Sequence, residues 1–310
     1  MAVLSPSGDC LLQSPILALG REGKDAVWVL RYGSLVDLVR RLIKELSAVH
    51  EIAGWGCLFE YSTKLLLNLP GILKARTLAP VDCTMGGKTR NFTFCGSQIR
   101  LDGRLFAGAR EIYGRKIYFA LPGFSLKPGD VVIDLGANAG VFTTLAALVA
   151  AKVVAVEAQS EFTGEIRSNA ARNGCSHKVS IEFAILGAGS GYFSDPERLK
   201  AGSHFSEMPP AISMGELLDR HQIRIVNFLK VDIEGSEFDL FSGDLEWLSR
   251  VEKIAMEVHL EFGKVDHLVE VLEKHGFHVR LLDNDQHMVN RIGGNCGYLF
   301  ASRAGFDRIH

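Results

Sequence analysis

From about Pro128 onward, short apolar runs rich in β-branched residues alternate with longer amphipathic stretches. Strands are predicted at 131–134, 153–157, 179–184, 226–232 and 253–259. Helices are predicted over 140–150 and 162–173, the second capped by Gly174, and over "VDHLVEVLEKHG". The last two apolar runs, "FHVRLLD" and "GYLFASR", fit an antiparallel pair at the end of the sheet. Strands separated by helices in this way predict an α/β fold with a doubly wound, mainly parallel sheet and an antiparallel C-terminal hairpin.

The N-terminal part reads differently. Leu35, Leu38, Val39, Leu42, Ile43 and Leu46 recur at i, i+3 and i+4, the stripe of an amphipathic helix, with Ser34 as N-cap. A second helix is expected over 58–67, stopping before Pro70. "NFTFCGSQIRLDG" alternates like a strand pair near 91–101, with Asp102-Gly103 as turn chemistry. The organisation expected is a mainly helical N-terminal extension, 1–88, serving as cap, dimerisation or substrate region, and a main domain, 89–310. The run 187–210, which contains His204, is too long for a bare connection and reads as a substrate-facing or mobile loop.

Composition narrows the function. At 310 residues, 47% hydrophobic and 23% charged, the chain can bury a full core. A net charge of -2 leaves no electrostatic footprint for a polyanion, so no nucleic-acid partner is expected. The six cysteines are scattered with no C-x-x-C pair, which argues against zinc and against a disulfide framework, and for reduced thiols in the cytoplasm. No basic residue precedes a sustained apolar block at the start, so no signal peptide is read there. The apolar segment 61–75 is interrupted by Pro70 and Gly71 and is too short to span a bilayer, so no membrane partner is expected.

The chemistry concentrates in "KPGDVVIDLGANAGVF". A buried strand ends in Asp134 and runs into a turn, Gly136, Ala137, Asn138 and Gly140, where missing Cβ atoms admit a ligand close to the backbone. A dinucleotide fingerprint, G-x-G-x-x-G, fails twice, at Asn138 and Val141. A pyrophosphate would be repelled by Asp134, whereas the cationic amino and sulfonium groups of S-adenosylmethionine would be attracted. Glu157 closes the second strand, where an acid can accept both ribose hydroxyls. Either acid alone reads more simply as a helix cap or a solvated strand end; the set reads as a cofactor cradle.

A second cluster lies in "NFLKVDIEGSEFDLF". Lys230, inside an apolar strand, needs a partner, for which Glu257 in "IAMEVH" is the candidate. Asp232, Glu234 and Glu237 surround the strand end. No Asn/Asp-Pro-Pro-aromatic motif and no Pro-Cys pair comes after the fourth strand, which disfavours nucleobase methylation.

The blocks "LKPGDVVIDLGANAGVFT", "VVAVEA", "RSNAARNG", "FLKVDIEGSEFDLF" and "KIAMEVH" are similar, in order, to those of the FkbM-type S-adenosylmethionine-dependent methyltransferases. The resemblance covers about 103–303. It implies a class I methyltransferase (Rossmann-like) fold and methylation of a hydroxyl on a small molecule, sugar, glycan or polyketide-type natural product. It also implies cofactor binding by Asp134, Gly136, Asn138, Gly140 and Glu157, with 232–237 at the reactive end. The chain departs from the family at Ala158, where a proline is usual, and at Phe183-Ala184, where a polar residue is frequent, so packing is expected to hold the adenine.

The general base is expected to be Asp232 or His259, with Glu234 behind them. Magnesium on Asp232, Glu234 and Glu237 is chemically admissible but not the favoured reading, and no metal ligand is assigned. The competing function is a non-catalytic, cofactor-binding scaffold subunit. A homodimer is compatible with the helical extension.

Overall fold

The computed structural model describes residues 2–4, 10–12, 35–75, 77–186 and 207–306. The chain divides into two compact units, Met1–Arg115 and Lys116–His310. The sequence pattern places the boundary at 88/89 instead. The difference arises because the strand pair after residue 88 packs with the N-terminal helix.

In the first unit, β1 (Ala2–Leu4) and β2 (Cys10–Leu12) pair antiparallel. The expected two helices are both present within α1 (Leu35–Leu67), separated by a non-helical break at Gly54. The φ of 75° and ψ of -179° there suit only glycine. Helices α2 (Leu69–Ala75) and α3 (Ala79–Asp82) lead to a hairpin of β3 (Thr89–Phe94) and β4 (Ser97–Asp102), which the one-turn α4 (Phe106–Ala109) follows. Its turn is Cys95-Gly96, both at positive φ as a tight two-residue hairpin requires. Asp102, expected as turn chemistry, accepts a hydrogen bond from the Arg104 N–H at 2.9 Å and caps the short helical turn Gly103–Leu105.

Phe92, Ile99 and Leu101 alternate inward and join Ile52, Tyr61, Phe106 and Tyr113 in a core of their own. Within it Arg110 pairs with Asp82 at 2.8 Å and with Glu45, and the Tyr61 hydroxyl donates to Asp82 at 2.9 Å. Trp55, Phe59, Leu66, Leu67 and Leu73 are exposed. Core packing therefore explains Leu65 but not its apolar neighbours. Cys83 is disulfide-bonded, which corrects the reading of uniformly reduced thiols; Cys57, Cys95, Cys175 and Cys296 are free.

The second unit is built on one sheet. Its strands are β5 (Val131–Leu135), β6 (Lys152–Glu157), β7 (Val179–Phe183), β8 (Phe228–Val231), β9 (Lys253–His259), β10 (His278–Leu282), β11 (Met288–Val289) and β12 (Cys296–Ser302). Their spatial order is β11-β10-β12-β9-β8-β5-β6-β7, with β5 to β9 parallel and β12 inserted antiparallel between β9 and β10. This is the class I methyltransferase arrangement.

Central strands such as β5 and β8 are almost wholly buried, and apolar apart from Asp134 and Lys230, because both faces are covered. The covering helices include α5 (Val141–Val149), α6 (Ser160–Arg172), α7 (Met214–Arg220), the one-turn α8 (Glu237–Leu240) and α9 (Val265–Lys274). Helix α7 begins with a capping box in which Ser213 and Glu216 satisfy each other's backbone, a signal present in the sequence. His204 and most of the expected long loop lie outside the described residues.

Candidate active site

Strand order reverses at β5, which has β6 on one side and β8 on the other. Open sheets of this kind leave a ligand crevice at the carboxyl ends of such strands. Leaving β5, the chain turns through Gly136 at φ 73°, Asn138 at 49° and Gly140 at 79°. A Cβ on Gly136 would overlap the Asp232 carbonyl oxygen, so the backbones of the turn and of the exit of β8 are in direct contact. A Cβ on Gly140 would stand 3.2 Å from the Ile166 Cα of α6. The N–H groups of Gly136 and Ala137 both donate to the Val156 carbonyl at 3.0 Å and fix the turn to β6.

Glu157 ends β6 beneath this turn. One carboxylate oxygen accepts from the Asn138 N–H at 2.6 Å and the other from the Gln159 N–H at 2.8 Å. Burial outweighs these hydrogen bonds and raises the carboxyl to about 7. Phe183 pairs with Glu157 across the strands, and Ala184 donates its N–H to the Glu157 carbonyl at 3.2 Å. Half-buried Ala158 and Phe183 and buried Ala184 thus line the same strand ends as the acid.

Asp134 is placed differently from the expectation. It is fully buried, accepts from the Thr143 hydroxyl at 2.5 Å, and has the Lys230 Nζ 3.1 Å from its other oxygen. Its charge serves the interior and is not presented to a ligand. Lys230 accordingly pairs with Asp134, and at 3.8 Å with Asp232, in place of the expected Glu257. Asp134 and Lys230 are direct register partners in the parallel β5–β8 pair, which places both side chains on one face. The ammonium also donates to the carbonyls of Leu135 at 3.2 Å and Gly136 at 2.7 Å. Burial opposes its charge, but Asp134 and Asp232 overcome this and raise its pKa.

At the end of β8, buried Asp232 accepts from the Tyr118 hydroxyl at 2.9 Å on Oδ2, the oxygen that also faces Lys230. Burial, then the Asp232 charge, push the Tyr118 phenol well up, so it stays a donor. Nothing in the spacing of "RKIYFALPG" marks Tyr118; only the fold brings it to Asp232.

His259 ends β9 with Nδ1 2.9 Å from Glu237 and Nε2 3.5 Å from Glu234. Glu237 is fully buried and also accepts from the Ile233 N–H at 3.3 Å. Glu237, which the sequence leaves unassigned as a metal ligand, holds the imidazole. Burial disfavours the imidazolium, yet the hydrogen bond to Glu237 and the charges of Glu237, Glu234 and Asp232 raise His259 to about 11. With Glu237 on Nδ1 and Glu234 near Nε2, the ring is set between two carboxylates as a donor, which favours Asp232 over His259 as the base.

Glu234 keeps 40% of its side chain exposed. Ligand atoms of Asp232, Glu234 and His259 all lie within 4.8 Å of one another. A separate surface cavity of about 560 Å³, lined by residues that include His275 and Arg303, holds none of these side chains. Its arginine is spent on the carbonyls of Leu248, Val251 and His275.

Among the described residues, no helix is long and apolar enough to cross a membrane. The methyltransferase FkbM domain matches residues 134–299, a span that contains the turn, Glu157 and the whole cluster. The 31-O-demethyl-FK506 methyltransferase FkbM of Streptomyces tacrolimicus is 27% identical over 211 residues, covering 55% of this chain and 80% of that protein. An rRNA methylase structure from Streptococcus thermophilus is similar at 13% identity and a TM-score of 0.40, over 62% of this chain and 95% of that one. A putative methyltransferase from Streptococcus mutans, solved in complex with SAH, is 12% identical with a TM-score of 0.38, over 57% and 90% of the two chains. With the family domain spanning more than half of its length, the chain belongs to the FkbM methyltransferase family.

Proposed function

We propose that this protein is an S-adenosylmethionine-dependent O-methyltransferase. Its acceptor is a hydroxyl of a small molecule, sugar, glycan or polyketide-type natural product. The observation that carries the reading is the contact between Gly136 and Asp232, which sets a glycine turn with a buried acid directly beside a proton-handling cluster. The relative from Streptomyces tacrolimicus is named for 31-O-demethyl-FK506, and that name supports an oxygen acceptor on a natural product.

The backbone of Gly136, Ala137, Asn138 and Gly140 would hold the amino-acid end of the cofactor. Glu157 has both oxygens ordered by backbone N–H groups and keeps lone pairs for the ribose hydroxyls. Ala158, Phe183 and Ala184 would pack on adenine. The cofactor supplies a methyl group on a sulfonium, displaced in line by the acceptor oxygen.

The chain's own part is alignment and proton transfer. Asp232, fixed by Tyr118 and Lys230, would take the hydroxyl proton as the acceptor oxygen receives the methyl group from the bound cofactor. Protonated His259, held by Glu237, donates a hydrogen bond that orients the acceptor. Asp134 acts through Lys230, as a positioning residue.

Calorimetry with S-adenosylmethionine and S-adenosylhomocysteine on the wild type and Glu157→Ala tests the cofactor. Binding by the wild type and its loss in a folded variant is the expected result; no binding of either nucleoside sinks the reading. Labelled methyl transfer to hydroxylated acceptors then tests the reaction. Binding without any transfer would favour a scaffold subunit.

A further inference from the structure

We infer that the outer face of α1 beyond Gly54, continued on α2, is a docking surface for an anionic lipid membrane. Trp55, Phe59, Leu66 and Leu73 are spaced by one or two helical turns and share one side of a helix. The Asn68 N–H donates to the Lys64 carbonyl at 2.9 Å and the Ile72 N–H to the Asn68 carbonyl at 3.0 Å. These bonds carry the helical pattern from α1 into α2 and keep the stripe in line, over about 27 Å at the helical rise. Its four side chains and that of Leu67 are 64% to 77% exposed. No exposed position from Trp55 to Leu73 bears a charge. An apolar patch of this extent on a water-facing surface marks an interaction site.

The charge along its border selects the occupant. Glu60 and Lys64, both partly buried, stand one step around the helix from Phe59 and Thr63. The Glu60 carboxylate takes Lys64 at 2.9 Å, Lys88 at 3.1 Å and Arg90 at 2.7 Å, three cations on one acid. Exposed Lys74 closes the far end of the stripe. From Leu35 to Arg115 there are twelve Lys and Arg against seven Asp and Glu, in a chain whose net charge is -2. An apolar helix face with Trp, Phe and Leu, edged by positive charge, settles into the headgroup region of an anionic bilayer. Two copies of a face bordered by net positive charge repel each other, which disfavours self-association.

Lying in the interface needs one apolar face and no spanning length. The interruption at Pro70 and Gly71 therefore excludes a span and not this contact, and among the described residues no helix is long and apolar enough to cross. Such docking would bring the enzyme to acceptors that partition into lipid. That use rests on the methyltransferase reading above; the lipid contact does not.

The test is flotation of the full chain with vesicles of phosphatidylcholine, with and without phosphatidylglycerol, and a parallel measurement of solution mass by sedimentation. It is run on the wild type, Trp55→Phe and the double variant Phe59→Ser/Leu66→Ser, each shown to be folded by a cooperative melt. All three positions are exposed, so folding should survive. The expected result is binding to vesicles that contain phosphatidylglycerol, weakened by salt and reduced roughly tenfold or more in the double variant. Tryptophan fluorescence of the wild type should shift to the blue on binding, and Trp55→Phe should bind while losing that shift. No binding by the wild type, or binding unchanged in the double variant, overturns the inference. Equal binding to pure phosphatidylcholine overturns the anionic preference. A dimer that the double variant abolishes, with no lipid binding, assigns the face to a second copy and overturns it as well.

Discussion

The Lys230 Nζ stands 3.1 Å from Asp134 Oδ1, with the two side chains only 4% and 0% exposed. One buried cation thus ties the strand that begins the glycine turn to the strand that ends in Asp232. Lys230→Met leaves Asp134 and Asp232 facing each other without it. The expected loss is about 3–5 kcal/mol in urea unfolding, and pairing the change with Asp134→Asn should recover part of it. A single substitution with no measurable cost would mean the pair organises nothing.

Gly136→Ala should be far more damaging than Gly140→Ala. Both residues have positive φ, where a Cβ costs about 1–2 kcal/mol. Only at Gly136 does the added atom also overlap a backbone oxygen; at Gly140 its nearest neighbour is 3.2 Å away. Melting temperatures of the two variants, with cofactor calorimetry on whichever folds, check the ranking.

Cofactor affinity should depend on Glu157. Burial holds its carboxyl up at about 7, and ribose hydroxyls bind best to the ionised form. Affinity should therefore fall below about pH 7, by about tenfold per unit, with proton release on binding there, and level off above. Folding stability moves the opposite way. An acid whose folded pKa lies above its unfolded 4.5 makes the native state bind more protons in between, so stability falls as pH rises from 4.5 to about 7. Glu157→Gln should flatten both profiles, as calorimetry in buffers of different ionisation enthalpy and pH-dependent melts can show.

Tyr118→Phe removes the donor to Asp232 Oδ2 at 2.9 Å and little volume. The unpaired buried oxygen should cost about 1–3 kcal/mol of stability. With Asp232 as the proposed base for the acceptor's proton, methyl transfer at saturating cofactor should slow while cofactor affinity holds. A variant that loses both equally would place Tyr118 in the scaffold alone.

The second unit is largely legible because its strands are short, apolar and regularly separated. The β9 strand falls on the expected 253–259, and β5 extends the expected run by Leu135 alone. The glycine turn is legible because its spacing excludes a dinucleotide. Partnerships are less so. Glu257 is the natural match for Lys230 because an adjacent strand is the obvious source of an acid, but register decides which acid shares its face, and register is not written in one sequence. The roles of Tyr118 and Glu237 escape a reading of spacing for the same reason: a hydroxyl 114 positions from its acceptor leaves no local signal. The helical pattern of the N-terminal unit is readable on either side of Gly54, where the structure breaks the helix.

The touching backbones of Gly136 and Asp232 bear on how such enzymes can be re-engineered. Two segments that meet with only a hydrogen between them must be inherited together. A chimera that takes the turn from one homologue and the end of β8 from another risks a sub-ångström mismatch that no side-chain repacking can absorb. Crossovers placed before β5 or after α8 keep the pair intact. Libraries aimed at new acceptors should hold this seam constant and vary the surfaces that approach it from outside.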